Sequence, residues 1–355
     1  INSRHFQVTL DTLKMAYLAE YRRISLADPA KPVTAIGEEL ENLDVASWDA
    51  EKHAHIVKAS LDEQVRGMLS HVFAIGGADP YPTPLSWYHG EQEIDPDVVA
   101  RMRLTEGVPT DPTVRTAIRT KSFVHPEGEF SQVVGLSPIH RFGVFVQCDD
   151  PNTAVRPGTL LGFYPGVVYP NARQMNEEIV RNNDYLFARI DGICIDGRDW
   201  DVEAARVRQK LLGLQLAGVP VKHQSKTVSQ ASPSSGIVSL NAYMNPYGIA
   251  SFINHVPPGT EPNAFLFGYD LRMNLTSPEV LSYVPNRRVE DKGAFGLFSS
   301  HDESIYMHCV VCVATQPIRN DEEVLVDYRF NPKYEQPAWY TSADPDAARR
   351  RWATG

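Results

Sequence analysis

Near residue 125 the chain changes period, and that change limits the folds open to it more than any single motif does. Before it, apolar residues recur at steps of three and four; after it they come in short β-branched runs broken by Gly, Pro and Asn. A pure helical bundle has no use for the second half, and an all-β sandwich has none for the first. The chain therefore reads as α+β, with a helical region and linker over 1–125, a β domain over 126–331 and a tail over 332–355.

Within the first region, Leu10, Leu13, Tyr17 and Tyr21 follow Thr9 at the spacing of one buried helical stripe. A second helix is expected to start at Ser47 as N-cap, with Asp49 and Glu51 in its first turn. It buries Val57, Leu61, Val65, Met68, Leu69 and Val72 and stops at Gly76-Gly77. The proline run 79–84 lacks the donors and the φ freedom to continue it, and a shorter helix is expected over 98–104. In the β half, strands are expected at 143–146 and 159–164. Asp191-Gly192 signals a two-residue hairpin between 185–190 and 193–195. Residues 202–214 read as a helix, and the apolar run 309–315 as a strand buried on both faces.

With 44 acidic and 34 basic residues the net charge is −10, so direct DNA binding is disfavoured unless the cations gather on one face. No run approaches the roughly 20 apolar residues of a bilayer span, so no membrane partner is expected. Four cysteines are too few for a disulfide scaffold and fit a reducing, intracellular compartment, with nucleus, cytoplasm and mitochondrion left open. The chain opens on Ile1, which leaves a removed organelle presequence open. Cys309-Val310-Val311-Cys312 is a lone CxxC whose thiols point to opposite faces of a strand, so no metal site is expected there. Phosphate-loop, His-Glu-x-x-His and Gly-x-Ser-x-Gly signatures are absent from the sequence.

Four segments follow one another in a telling order: Arg141-Phe142-Gly143-Val144-Phe145-Val146, Tyr164-Pro165-Gly166, Ser251-Phe252-Ile253-Asn254-His255 with Pro262-Asn263, and Asp321-Glu322-Glu323-Val324-Leu325-Val326-Asp327-Tyr328. Together they resemble the SET-domain family of protein lysine methyltransferases over residues 128–331. The resemblance implies a β domain of several small sheets with a pseudo-knot tied by Asn263, and insertions at about 200–240 and 268–305. It implies S-adenosylmethionine as methyl donor, held by Phe142, Gly143, Val144, Asn254 and His255, with Tyr328 as the catalytic phenol. Tyr185 and Phe330 are the expected channel walls, and the partner is a protein with a target lysine, inside or outside chromatin. Three positions depart from the family pattern: Arg141 for a glycine, Ser251 for an arginine and Val256 for a serine. These motivate the alternative of a catalytically degenerate scaffold or accessory subunit in a larger assembly, including a mitochondrial one. Glu322-Glu323 reads as a solvated charge pair.

Overall fold

The computed structural model describes residues 3–74, 123–126, 130–140, 142–170, 175, 177–180, 183–198, 200, 242, 245–289 and 304–353. The proline run, the expected helices at 98–104 and 202–214, the Gly76-Gly77 stop and Arg141 lie outside them. Helices α1 (Ser3–Ala27), α2 (Val33–Leu43) and α3 (Ala50–Ala74) are followed by short strands and a last helix, α4 (Pro345–Arg351). Among the described residues no helix is long and apolar enough to cross a membrane, and no group of three or more His, Cys, Asp and Glu is placed to hold a metal.

Helix α3 starts two residues later than its sequence signal. Asp49, not Ser47, caps it, its carboxylate accepting from the Lys52 N–H at 2.7 Å, while the Ser47 hydroxyl turns back to the Asp44 carbonyl at 2.8 Å. The expected apolar face is buried in full, from Val57 to Val72 at no more than 4% exposure. Each such side chain contributes roughly 1.5–3 kcal/mol by leaving water. Helix α1 turns a different face inward. Asp11, Met15, Leu18 and Arg22 are buried, while Leu10, Leu13, Tyr17 and Tyr21 stay half-buried. A hydrophobic period misses this face because two of its members are charged and partnered, Arg22 with Glu63 at 3.5 Å and Asp11 with Arg329 at 3.3 Å.

The β half is a set of small sheets. Strands β1 (Phe123–Val124), β2 (Phe130–Leu136) and β3 (Phe142–Cys148) form one antiparallel sheet. A second takes the order β10 (Ala264–Arg272), β12 (Ile305–Ala314), β5 (Leu160–Phe163). The third contains β11 (Asn286–Arg288), β6 (Gly166–Tyr169), β8 (Cys194–Asp196) and β7 (Leu186–Ala188), with β11 and β6 parallel. Two ribbons pair β13 (Ile318–Arg319) with β4 (Ala154–Val155), and β14 (Leu325–Val326) with β9 (Asn254–His255). Strand β12 is central, and from Cys309 to Ala314 every residue has no exposure, as its apolar run requires.

The hairpin at Asp191-Gly192 forms, but with a three-residue loop. Ala188 pairs with Cys194, the Arg189 N–H donates to the Ile193 carbonyl, and Gly192 at φ +91° closes the turn by donating to the Arg189 carbonyl. Glycine takes the left-handed position, which gives a type I turn with a bulge where the dipeptide alone indicates a two-residue turn. Helix α3 is joined to the second sheet by polar bonds as well as by packing. The buried Gln64 amide donates to the Gly158 carbonyl at 3.1 Å and accepts from the Leu160 N–H at 2.7 Å, and the Tyr269 hydroxyl donates to Asp62 at 2.6 Å.

Candidate functional site

Three of the motif segments, those holding Phe142–Val146, Asn254–Asn263 and Glu322–Val326, meet beside β3. One edge of β3 pairs with β2; along the other lies the segment 321–324, with the Val324 N–H donating to the Val144 carbonyl at 2.7 Å and the Val146 N–H to the Glu322 carbonyl at 3.0 Å. The same segment continues into β14, which lies parallel to β9, with Leu325 opposite Asn254 and Val326 opposite His255. Asn263 ties the arrangement. Its amide nitrogen donates to the Glu323 carbonyl at 2.8 Å and the Glu322 carboxylate at 3.1 Å, and its oxygen accepts from the Leu325 N–H at 2.8 Å.

Gly143 lies under a carboxylate. A Cβ there would stand 2.1 Å from Glu323 Oε1 and 3.1 Å from Asn254 Nδ2, so no larger residue fits without moving Glu323. That carboxylate accepts from Asn254 Nδ2 at 2.7 Å and from the Ser137 hydroxyl at 2.9 Å. Asn254 also donates to the Phe142 carbonyl at 2.8 Å, and it is buried. The glutamates are therefore not a solvated pair. Both are half-buried, and Glu323 is a half-buried acceptor at the centre of the meeting point. Sequence reasoning missed it because two acidic residues before a strand normally face water.

His255 is spoken for on both nitrogens. Nδ1 accepts from the Tyr328 N–H at 3.3 Å, which assigns the hydrogen to Nε2, and Nε2 lies 2.8 Å from the Thr341 carbonyl. The Tyr328 hydroxyl donates to the Ile253 carbonyl at 3.0 Å. Burial pushes its phenol up, as do the neighbouring Tyr185, Glu323 and Asp184, so Tyr328 stays protonated at neutral pH. Tyr164, of the Tyr-Pro-Gly segment, is buried and shifted the same way by burial, then by Tyr328 and Tyr185. Its hydroxyl donates to the Tyr185 carbonyl at 2.8 Å. Phe330 stands 5.7 Å from the Tyr328 ring, whereas Tyr185 is 42% exposed.

The remaining aromatic neighbours come from residues read as a tail. Tyr340 stacks on His255 at 4.5 Å and on Phe330 at 4.6 Å, and Trp339 meets Tyr328 edge-on at 6.1 Å. The Tyr340 hydroxyl donates to Asp327 at 3.1 Å and accepts from the Phe330 N–H at 3.1 Å. Two adjacent large aromatics in a terminal stretch were the available signal, because exposed tails seldom carry them.

Between Tyr328 and Phe330, Arg329 adopts φ +55°, a left-handed conformation that costs a non-glycine residue roughly 1–2 kcal/mol. Its side chain leaves the site on the opposite side, the guanidinium lying 4.1 Å over the Phe265 ring.

No protein-family model matches the chain. It is 25% identical over 186 residues to human SET domain-containing protein 9, a match covering 52% of this chain and 53% of that protein. The Pongo abelii protein of the same name matches at 25% over 186 residues and 58% of its length. This chain is a relative of the SET-domain proteins. It spans about half the length of the curated relatives it matches. Of the four motif segments read from the sequence, all but Tyr164-Pro165-Gly166 converge beside β3.

The atoms gathered around Gly143 and Tyr328 are mostly acceptors: the Glu323 carboxylate, the Phe142 carbonyl and a phenol oxygen whose hydrogen is already placed on Ile253. Such a set suits a positively charged ligand. The side chains of Asn254 and His255 contribute by holding backbone, since their polar nitrogens are engaged within the protein.

Proposed function

We propose that this chain is an S-adenosylmethionine-dependent protein lysine N-methyltransferase of the SET type. The observation that carries the reading is the Tyr328 phenol, half-buried among rings, with its hydrogen donated to the Ile253 carbonyl and its oxygen left to accept. The Asn263 tie between 263 and 322–325 is read as the family's pseudo-knot.

When bound, the donor supplies an electrophilic methyl on a sulfonium. Residues 142–144 and 254–255 would hold it through backbone, with Glu323 supplying the opposite charge. The chain's own work is on the lysine amine, whose free pKa of about 10.4 keeps it protonated in water. Desolvation among His255, Phe330, Trp339 and Tyr340 disfavours the ammonium form, and the Tyr328 oxygen accepts an N–H and so orients the nitrogen lone pair. Tyr164, anchored to the Tyr185 carbonyl, closes the side toward β7 and helps keep water out.

The alternative, a SET-derived scaffold without catalysis, draws support from one feature: the space above Gly143 is filled by Glu323 and the Asn254 amide is spent inside the protein. Incubation with radiolabelled donor and lysine-bearing substrate proteins separates the two. The enzyme reading expects label on lysine, and expects Tyr328→Phe to cut transfer at least a hundredfold, about 3 kcal/mol, while donor binding stays within twofold. Label incorporation unaffected by Tyr328→Phe would overturn the role given to the phenol.

A further inference from the structure

Three anchors fix the residue that follows the phenol, and two of them come from opposite ends of the chain. The Arg329 N–H donates to Asp327 at 2.9 Å, its carbonyl accepts from the Trp352 indole at 2.9 Å, and its guanidinium reaches Asp11 of α1 at 3.3 Å. Arg351 of α4 pairs with the same Asp11 carboxylate, whose second oxygen accepts from Gln7 at 3.1 Å. Lys14 also lies over the Phe265 ring, 5.2 Å from its centroid. Two guanidiniums therefore converge on one acidic side chain that is only 12% exposed, against a further cation on α1.

Such an arrangement is costly unless it fixes something. What it fixes is the left-handed backbone at Arg329, the link that sends Tyr328 and Phe330 to the same aromatic pocket while the arginine goes the other way. With the guanidinium off Asp11, only the Asp327 and Trp352 bonds would hold that backbone, and Tyr328 would be less firmly placed.

We propose that Arg329 is a positioning residue for Tyr328 and that Asp11 of the N-terminal helix, acting through it, sets the turnover of the site. This rests on the methyltransferase reading above and adds to it that the helical region takes part in the chemistry through one carboxylate. Neither residue touches the reacting atoms.

The test is a double-mutant cycle in the full chain with Asp11→Asn, which keeps shape and removes charge, and Arg329→Gly, which adopts the left-handed conformation without any clamp. Asp11→Asn is expected to lower kcat about tenfold, with the donor's KM within twofold, in the natural background, and to change kcat less than twofold when residue 329 is glycine. A general stabilising role for Asp11 would instead lower both backgrounds alike, and that result, or an unchanged kcat in the single variant, overturns the proposal. Should the unaltered protein transfer no methyl group, the methyltransferase reading fails first, and the cycle is read from 13C-labelled tyrosine rings. Asp11→Asn then shifts the Tyr328 ring resonance in the natural background and not in the Arg329→Gly background. A resonance that stays fixed in both overturns the coupling.

Discussion

Around Tyr328, the rings of His255, Phe330, Trp339 and Tyr340 stand 4.5–6.2 Å apart; beside β3, Glu323 is gripped by Asn254 and Ser137 at 2.7–2.9 Å with Gly143 beneath it. The aromatic side is held by dispersion and stacking, which weaken gradually as rings part. The polar side is held by directional hydrogen bonds to a carboxylate, which fail once an atom is displaced by a few tenths of an ångström. The first suits a surface that must admit a side chain, and the second one that must keep its shape.

Substitution at Gly143 strikes the polar side hardest. Gly143→Ala places a methyl where the Glu323 oxygen is, and the carboxylate cannot yield without releasing Asn254 and Ser137. Overpacking and lost charge-assisted bonds together are expected to cost about 2–4 kcal/mol, read from urea denaturation. A loss below about 0.5 kcal/mol would show that the lock is loose and that the two sides do not differ as described.

Alkaline pH strikes the aromatic side instead. Burial and Asp327 raise the Tyr340 phenol to about 12, above its ordinary value near 10. A group whose pKa is raised on folding contributes stability that is intact below the unfolded value and is lost as pH climbs through the folded one. Denaturation between pH 10 and 12 should therefore show falling stability, with a shallower fall in Tyr340→Phe. An equal slope in both proteins would remove Tyr340 from the account. The smallest effect belongs to Trp339, which is 54% exposed. Trp339→Ala is expected to cost about 1 kcal/mol of stability while raising the KM of the lysine substrate severalfold, and a larger stability loss would make it core rather than rim.

Much of this was legible in the residues, for stated reasons. The α3 face and the β12 run were readable because burial there is uniform and a periodic or continuous apolar pattern reports it directly. The four motif segments were readable as a set, and the meeting of three of them beside β3 follows from pairings between residues far apart in sequence, such as Leu325 with Asn254. Periodicity fails on α1, where Asp11 and Arg22 face inward because partners from elsewhere neutralise them. The same blindness hid Glu323 and the aromatic pair Trp339-Tyr340. A charge reads as solvent-facing and a stretch after the last motif reads as tail until the tertiary partner is known. The three-residue loop at Asp191-Gly192 differs from its dipeptide signal for a local reason. The strand pairs Ala188 with Cys194, so an odd number of residues must turn.

The acceptor-rich ground around Gly143 is the part of the account on which the rest depends. Calorimetric titration of S-adenosylmethionine into the protein and into its Glu323→Gln variant tests it most directly. Saturable binding with a Kd on the order of micromolar to tenths of millimolar is expected, weakened about tenfold, near 1.4 kcal/mol, when the carboxylate becomes an amide. Heat absent from both proteins at millimolar donor, or affinity unchanged by the substitution, would contradict it.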